Sequence, residues 1–221
     1  KYMTAKEEDI LTSSNLIEKG LVIDRLLESV IADPKIKLDD LLIGDKNALM
    51  VGTRVLGYGK DYVVTMEDPD TSLEVEHSFD LTKLNHSTID YEKLKGGKNE
   101  FEYTTPKSNN KLKFKLLTHR DEKEIENELK AYKKLTNVTG ISNELTTRLK
   151  KQIISVDGET DRQKVNEFVD NRFLALDTKE FRKYVVSIMP DINFEQEYES
   201  QIGELHTVTI PIGVRFFWPE S

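Results

Sequence analysis

The spacing of the apolar residues changes twice along the chain, and this change limits the fold more than any other feature of the sequence. Up to about residue 58 the apolar residues recur at helical spacing, as Leu26, Leu27 and Val30 do. Between residues 61 and 117 the period becomes two, where Leu112 and Phe114 alternate with lysines. Helical spacing returns from residue 118. The pattern predicts an α+β protein.

We predict four segments within the 221 residues. N-terminal helices occupy residues 1–60, a small central antiparallel sheet occupies 61–117, and a helical bundle occupies 118–191. Residues 192–221 are predicted to form a strand and an aromatic tail that return to the central sheet. The pairs Thr4 with Glu7 and Thr118 with Asp121 are typical of helix starts, because the two side chains can bond each other's backbone.

Charge and cysteine content exclude several classes of function. The chain has 40 acidic and 32 basic residues and a formal net charge of −8, which argues against a nucleic-acid partner. It has no cysteine, so disulfides, thiolate zinc sites and a cysteine nucleophile are excluded. Apolar runs are too short for a transmembrane helix, so no membrane partner is predicted.

Metal and calcium signatures are not matched. The histidines are scattered along the chain, and His77 lies on the apolar face of a predicted strand, where a hydrogen-bonded core histidine is expected. Asp68-x-Asp70 resembles the start of a calcium loop, but its sixth position is Leu73 and its twelfth is Phe79, where such a loop needs Gly and Glu. A proline-centred turn is the better interpretation. No metal site and no cofactor are predicted.

Enzymatic signatures are not matched either. Gly52, Gly57 and Gly59 do not form a phosphate loop, because they end a predicted helix instead of opening one. No nucleophile elbow is present, so no catalytic residue is assigned. Two dispersed acids of a glycosidase stay an open alternative, since they need not be close in sequence. The sequence predicts a protein that is not an enzyme.

The C-terminal segment IPIGVRFFWP, residues 210–219, concentrates aromatic residues near the chain end. It contains Phe216, Phe217 and the only tryptophan, Trp218. One interpretation is a closing strand packed into the chain's own core. The other is an anchor for a partner, because Trp and Phe are enriched at the centres of protein interfaces. The two interpretations are compatible for different faces of the segment.

Three stretches in register resemble a known family. They are MTAKEEDILT at residues 3–12, LLIGDKNA at 41–48 followed by TRV at 53–55 and YGKDY at 58–62, and FFWP at 216–219. The chain resembles the baseplate hub assembly proteins of T4-type contractile-tailed bacteriophages over nearly its whole length. Many relatives carry paired cysteines in the stretches that correspond to residues 66–71 and 200–206, which suggests a zinc clasp in them. This chain has no thiolate there, so we expect the two stretches to meet as a small β-sheet without a metal.

The resemblance implies a non-enzymatic tail protein that takes part in hub assembly through contacts with other tail and hub proteins. It places the protein in the host cytoplasm during assembly and leaves two fates open: retention in the virion baseplate, or release as a transient chaperone. A cell-wall hydrolase domain is a third alternative, and the oligomeric state stays open. We expect Arg54 to pair with Asp45 or Glu8. The candidate interface or architectural residues are Gly44, Asp45, Arg54, Phe216, Phe217 and Trp218.

Overall fold

A computed structural model describes residues 1–87, 97–135 and 143–218. The chain divides into two compact units. Within the described residues, unit one contains 1–38, 44–87 and 191–218, and unit two contains 39–43, 97–135 and 143–190. These units join segments that are distant in sequence, and the four-segment division stays a separate prediction.

Unit one combines helices with two separate strand pairs. Its helices are α1 (Ala5–Leu11), α2 (Ser14–Glu18), α3 (Val22–Val30) and α4 (Ile43–Tyr58, which starts one residue before the unit). Strand β1 (Asp61–Glu67) pairs antiparallel with β2 (Glu74–Asp80), and β6 (Glu195–Glu199) pairs antiparallel with β7 (Leu205–Thr209). A short 3₁₀ helix, Val214–Phe217, follows β7.

Unit two packs helices on a three-stranded antiparallel sheet. The strands are β3 (Phe101–Thr104), β4 (Lys111–Phe114) and β5 (Ile153–Val156), in that order across the sheet. The helices are α5 (His119–Leu135), α6 (Glu144–Gln152), α7 (Arg162–Asn171) and α8 (Ala175–Ile188). Phe114 of β4 and Phe181 of α8 are fully buried and meet edge-to-face, with ring centroids 5.0 Å apart. Their contact is central to this core.

The predicted helix starts are confirmed in detail. The backbone N–H and the hydroxyl of Thr4 both donate to Glu7 Oε2, at 2.8 and 2.6 Å. Thr118 and Asp121 bond each other in the same way at the start of α5. The apolar face predicted for α3 is also present, because Leu26 and Leu27 have no exposed surface. Local side-chain chemistry therefore sets these helices.

The α+β class is confirmed, but the prediction of one central sheet is wrong. The described strands form three small sheets, and β3 and β4 pair with β5 instead of with β1 and β2. The C-terminal strand β7 pairs with β6 and not with the central strands. Alternation along a strand shows which face is buried, but it does not show which strand is the neighbour. Within residues 118–191, which were predicted to be helical, α6 ends at Gln152 and Ile153 begins the strand β5.

Candidate functional site

The C-terminal aromatic segment is anchored inside unit one by its two phenylalanines. Phe216 and Phe217 have no exposed surface and meet edge-to-face, with ring centroids 5.2 Å apart. The ring of Tyr62 on β1 makes a second edge-to-face contact with Phe216 at 5.0 Å. The Tyr62 hydroxyl also donates to the carbonyl oxygen of Pro211 at 3.4 Å. The segment is therefore packed on β1.

Trp218 differs from the two residues that precede it. Its side chain is 44% exposed, although Phe216 and Phe217 beside it are fully buried. Its backbone N–H donates to the carbonyl of Arg215 at 3.0 Å, which ends the 3₁₀ helix. The core interpretation thus fits the phenylalanines, and a partner anchor is a role open to the tryptophan. Pro219, the last residue of the predicted motif, lies outside the described residues.

The expected ion pair of Arg54 with Asp45 or Glu8 is wrong. Arg54 is 6% exposed, and its guanidinium donates to the backbone carbonyls of Gly59 at 3.1 Å and Asp61 at 3.3 Å. The guanidinium also lies over the rings of Tyr58 and Tyr62, 5.3 and 5.8 Å from their centroids. Burial lowers the pKa of Arg54.

These contacts give Arg54 an architectural position. Backbone carbonyls just past the end of α4 have no helical partner, and the guanidinium supplies the donors they need. Tyr62 contacts both Arg54 and Phe216, so the structure brings two of the predicted residues together around one ring. Tyr62 itself was not predicted as a site residue, although it lies in the YGKDY motif.

Gly44 and Asp45, two further candidate residues, lie at the start of α4. Both belong to the first turn of α4, where Gly44 is buried and Asp45 is exposed. Asp45 precedes Arg54 by nine residues in this helix, which is about 14 Å along its axis. An acid in the first turn of a helix interacts favourably with the helix dipole. The position of Asp45 is explained by that effect.

Two distant turns of unit one are joined by the buried carboxylate of Asp68. Its Oδ1 accepts from the N–H groups of Asp70 and Thr71, at 3.0 and 2.9 Å, and its Oδ2 accepts from the N–H of Gln201 at 3.0 Å. The hydrogen bond from Gln201 makes the largest contribution to the lowered pKa of Asp68. The stretches 66–71 and 200–206 therefore meet as expected, but through side-chain hydrogen bonds instead of a β-sheet.

One group of side chains at these turns has the composition of a metal site. Asp70, Glu204 and His206 each offer a ligand atom, and the three atoms lie within 4.8 Å of one another. His206 Nε2 is already 2.9 Å from Asp70 Oδ2. Hydrogen bonds from Ser200 and His206 lower the pKa of Asp70. The arrangement of Asp70 and His206 is thus explained by their mutual hydrogen bond.

An open cleft of about 600 Å³ lies in unit two, beside the turn that follows β5. Val165 and Phe168 supply apolar lining, and the charged side chains of Glu159 and Lys164 pair with each other at 2.6 Å. Asp157 accepts from the backbone N–H of Lys111 at 2.7 Å. These contacts account for the positions of Asp157, Glu159 and Lys164 in the lining.

Comparison with known proteins decides the family. A family model described as T4 bacteriophage base plate protein matches residues 1–218. The chain belongs to this family. No curated protein and no solved structure matches the chain. Among the described residues of this base plate protein, no helix has both the length and the apolar character needed to cross a membrane.

Proposed function

We propose that this base plate protein takes part in assembly of the baseplate hub, without catalysis, through contacts with other tail and hub proteins. Family membership across residues 1–218 carries the proposal. The half-exposed Trp218, which directly follows two buried phenylalanines in the chain, supports it, because tryptophan is enriched among the residues that dominate binding at protein interfaces.

The candidate residues then divide into two roles. Gly44, Asp45, Arg54, Phe216 and Phe217 define the architecture of unit one, and Trp218 contacts the partner. Assembly takes place in the host cytoplasm, and the protein is retained in the virion baseplate. The alternative is a transient chaperone that leaves before the particle is complete.

Quantitative mass spectrometry of purified mature particles tests the two fates. The copy number of this chain is measured against tail proteins that form rings of known symmetry. A symmetric whole-number ratio is expected for a structural component. Absence from particles, with presence in hub intermediates from infected cells, would assign the chaperone role. Absence from both would overturn the proposal.

Substituting Trp218→Ala tests the proposed contact. The purified variant is expected to fold, since the ring is 44% exposed, while complementation of a phage lacking this gene yields fewer assembled hubs. Tyr2→Ala is the matched control, because Tyr2 is an aromatic residue of the same unit with 67% of its surface exposed. A normal yield of assembled hubs with Trp218→Ala would show that Trp218 is not part of the interface.

A further inference from the structure

The end of unit one formed by the turns at residues 68–73 and 199–206, here called the paired-turn tip, is rigidly built. Asp68 has no exposed surface and bonds backbone N–H groups in both turns. The second turn is closed by hydrogen bonds from Ser200 N–H to the Glu204 carbonyl at 2.8 Å and from Gly203 N–H to the Ser200 carbonyl at 3.0 Å. A surface ordered in advance loses little conformational entropy when it binds.

Three large aliphatic side chains project from this tip. Leu73 is 59% exposed, Ile202 is 62% exposed and Leu205 is 73% exposed. Leu205 is the most exposed large apolar side chain of the described residues. Single exposed apolar residues are ordinary, but several that border one ordered feature indicate a binding surface.

The fixed charges of the two turns are acidic, and His206 is the one side chain in them that can become positively charged. Residues 66–75 and 198–207 contain no Lys or Arg. Glu67 lies directly opposite Glu74 in the register of β1 and β2, a like-charged pair that costs stability unless a cation screens it. Glu199 lies opposite Leu205 in the register of β6 and β7. The carboxylates of Asp70 and Glu204 converge within 4.8 Å.

We propose that the paired-turn tip docks into an apolar recess of another tail protein, and that Lys and Arg side chains border this recess. The three aliphatic side chains fill the recess, and the surrounding carboxylates pair with the basic border. This inference rests on the proposed function and adds the contact surface and the chemistry of the partner. The negative sign of the tip excludes a nucleic-acid backbone as its occupant.

The test measures binding of the full-length protein to each purified tail protein of the same phage, one at a time, by biolayer interferometry. Ile202→Ser combined with Leu205→Ser is expected to weaken binding about tenfold or more. Glu199→Lys combined with Glu204→Lys is expected to weaken it by a similar factor at about 50 mM NaCl and less at about 300 mM NaCl. Ile36→Ser is the control, because Ile36 is a 48% exposed isoleucine of the same unit.

Each outcome supports or overturns the inference. Because the substituted side chains are exposed, the variants are expected to keep the wild-type circular dichroism and thermal midpoint, which are measured first. If a tail protein binds both tip variants with the same affinity as the wild type, the proposed docking surface is wrong, but the proposed role in hub assembly is not contradicted. Binding to no tail protein overturns the hub role as well. Binding that EDTA abolishes and Zn²⁺ restores would assign the carboxylates to a cation and overturn the basic recess. A second copy of this chain as the occupant would also overturn it, and sedimentation detects that case.

Discussion

Replacing Phe216 with alanine should destabilise unit one strongly. Phe216 has no exposed surface, and its ring contacts Tyr62 at 5.0 Å and Phe217 at 5.2 Å, both edge-to-face. Deleting a fully buried phenylalanine costs about 3–5 kcal/mol, because burial is lost and a cavity stays behind. Edge-to-face pairs are worth about 0.5–1.5 kcal/mol each beyond their buried area, which places the expected value in the upper part of that range.

This loss of stability can be measured as a decrease in the thermal unfolding midpoint. For a chain of this size, 1 kcal/mol corresponds to about 2–4 °C, so a loss of about 4–5 kcal/mol in Phe216→Ala should lower the midpoint by about 8–20 °C. Trp218 is the only tryptophan, and it lies two residues from the substitution, so its fluorescence reports on unfolding of this part of unit one. Far-UV circular dichroism, recorded in parallel, distinguishes unfolding from a local change around Trp218 that alters only its fluorescence.

Tyr2→Ala is the matched control, since it removes an aromatic side chain that is 67% exposed. Its free energy of unfolding should stay within about 0.5 kcal/mol of the wild-type value. If Phe216→Ala and Tyr2→Ala have the same midpoint, the C-terminal segment is not part of the core and the packing argument fails.

Two further predictions concern buried carboxylates. The hydroxyl of Thr4 makes the largest contribution in lowering the pKa of Glu7 from 4.5 to about 2, so its stabilisation is present above pH 4.5 and is lost as the pH falls towards 2. Glu7→Gln should remove about 1–3 kcal/mol of that pH-dependent stability, and a similar acid-unfolding slope in variant and wild type would contradict it. Asp177→Asn should cost about 1–3 kcal/mol in urea unfolding, because Asp177 accepts from the N–H groups of Lys107 and Ser108 at 2.8 and 3.1 Å. Glu167→Gln, at an exposed position of the same unit, is its control and should change stability little.

The helices α1 and α3 of unit one and the strand β2 were predictable because their signals are local. The capping pair Thr4 and Glu7 acts within one turn, and the alternation through His77 and Phe79 marks the inner face of β2. The rings of His77 and Phe79 lie 4.7 Å apart, and His77 also meets Tyr198 at 5.5 Å, as expected for a histidine on an apolar face. Such features need no knowledge of the rest of the chain.

Strand β6 could not be predicted from apolar spacing. Its sequence, EQEYE, contains one apolar residue, and Tyr198 is the only one of the five that is buried. Because β6 buries only one side chain, its sequence has no alternation of apolar and polar residues that would predict a strand. The partner of Arg54 was mispredicted for a related reason: the long side chain reaches backbone carbonyls, and carbonyls are present at every position of any sequence.

The candidate site was predictable only where packing follows from residue type. Neighbouring phenylalanines have a large apolar surface to bury, and the burial of Phe216 and Phe217 agrees with that expectation. The paired-turn tip has no comparable signal. Leu73, Ile202 and Leu205 are ordinary apolar residues in sequence, and they belong to one end of unit one only because two distant turns meet.

Asp68 and Asp177 show which interactions decide the topology that periodicity leaves open. Asp177 lies in the first turn of α8, whose N-terminal cap is Leu174, and its carboxylate bonds a turn 70 residues away in sequence. Asp68 similarly bonds Gln201 across 133 residues. Asp68 also bonds N–H groups of its own turn, whereas both oxygen atoms of Asp177 bond the distant turn. Because a carboxylate has two oxygen atoms and up to four acceptor directions, it can serve a distant segment as well as its own. The distant bond is the one that selects which segments of the chain meet.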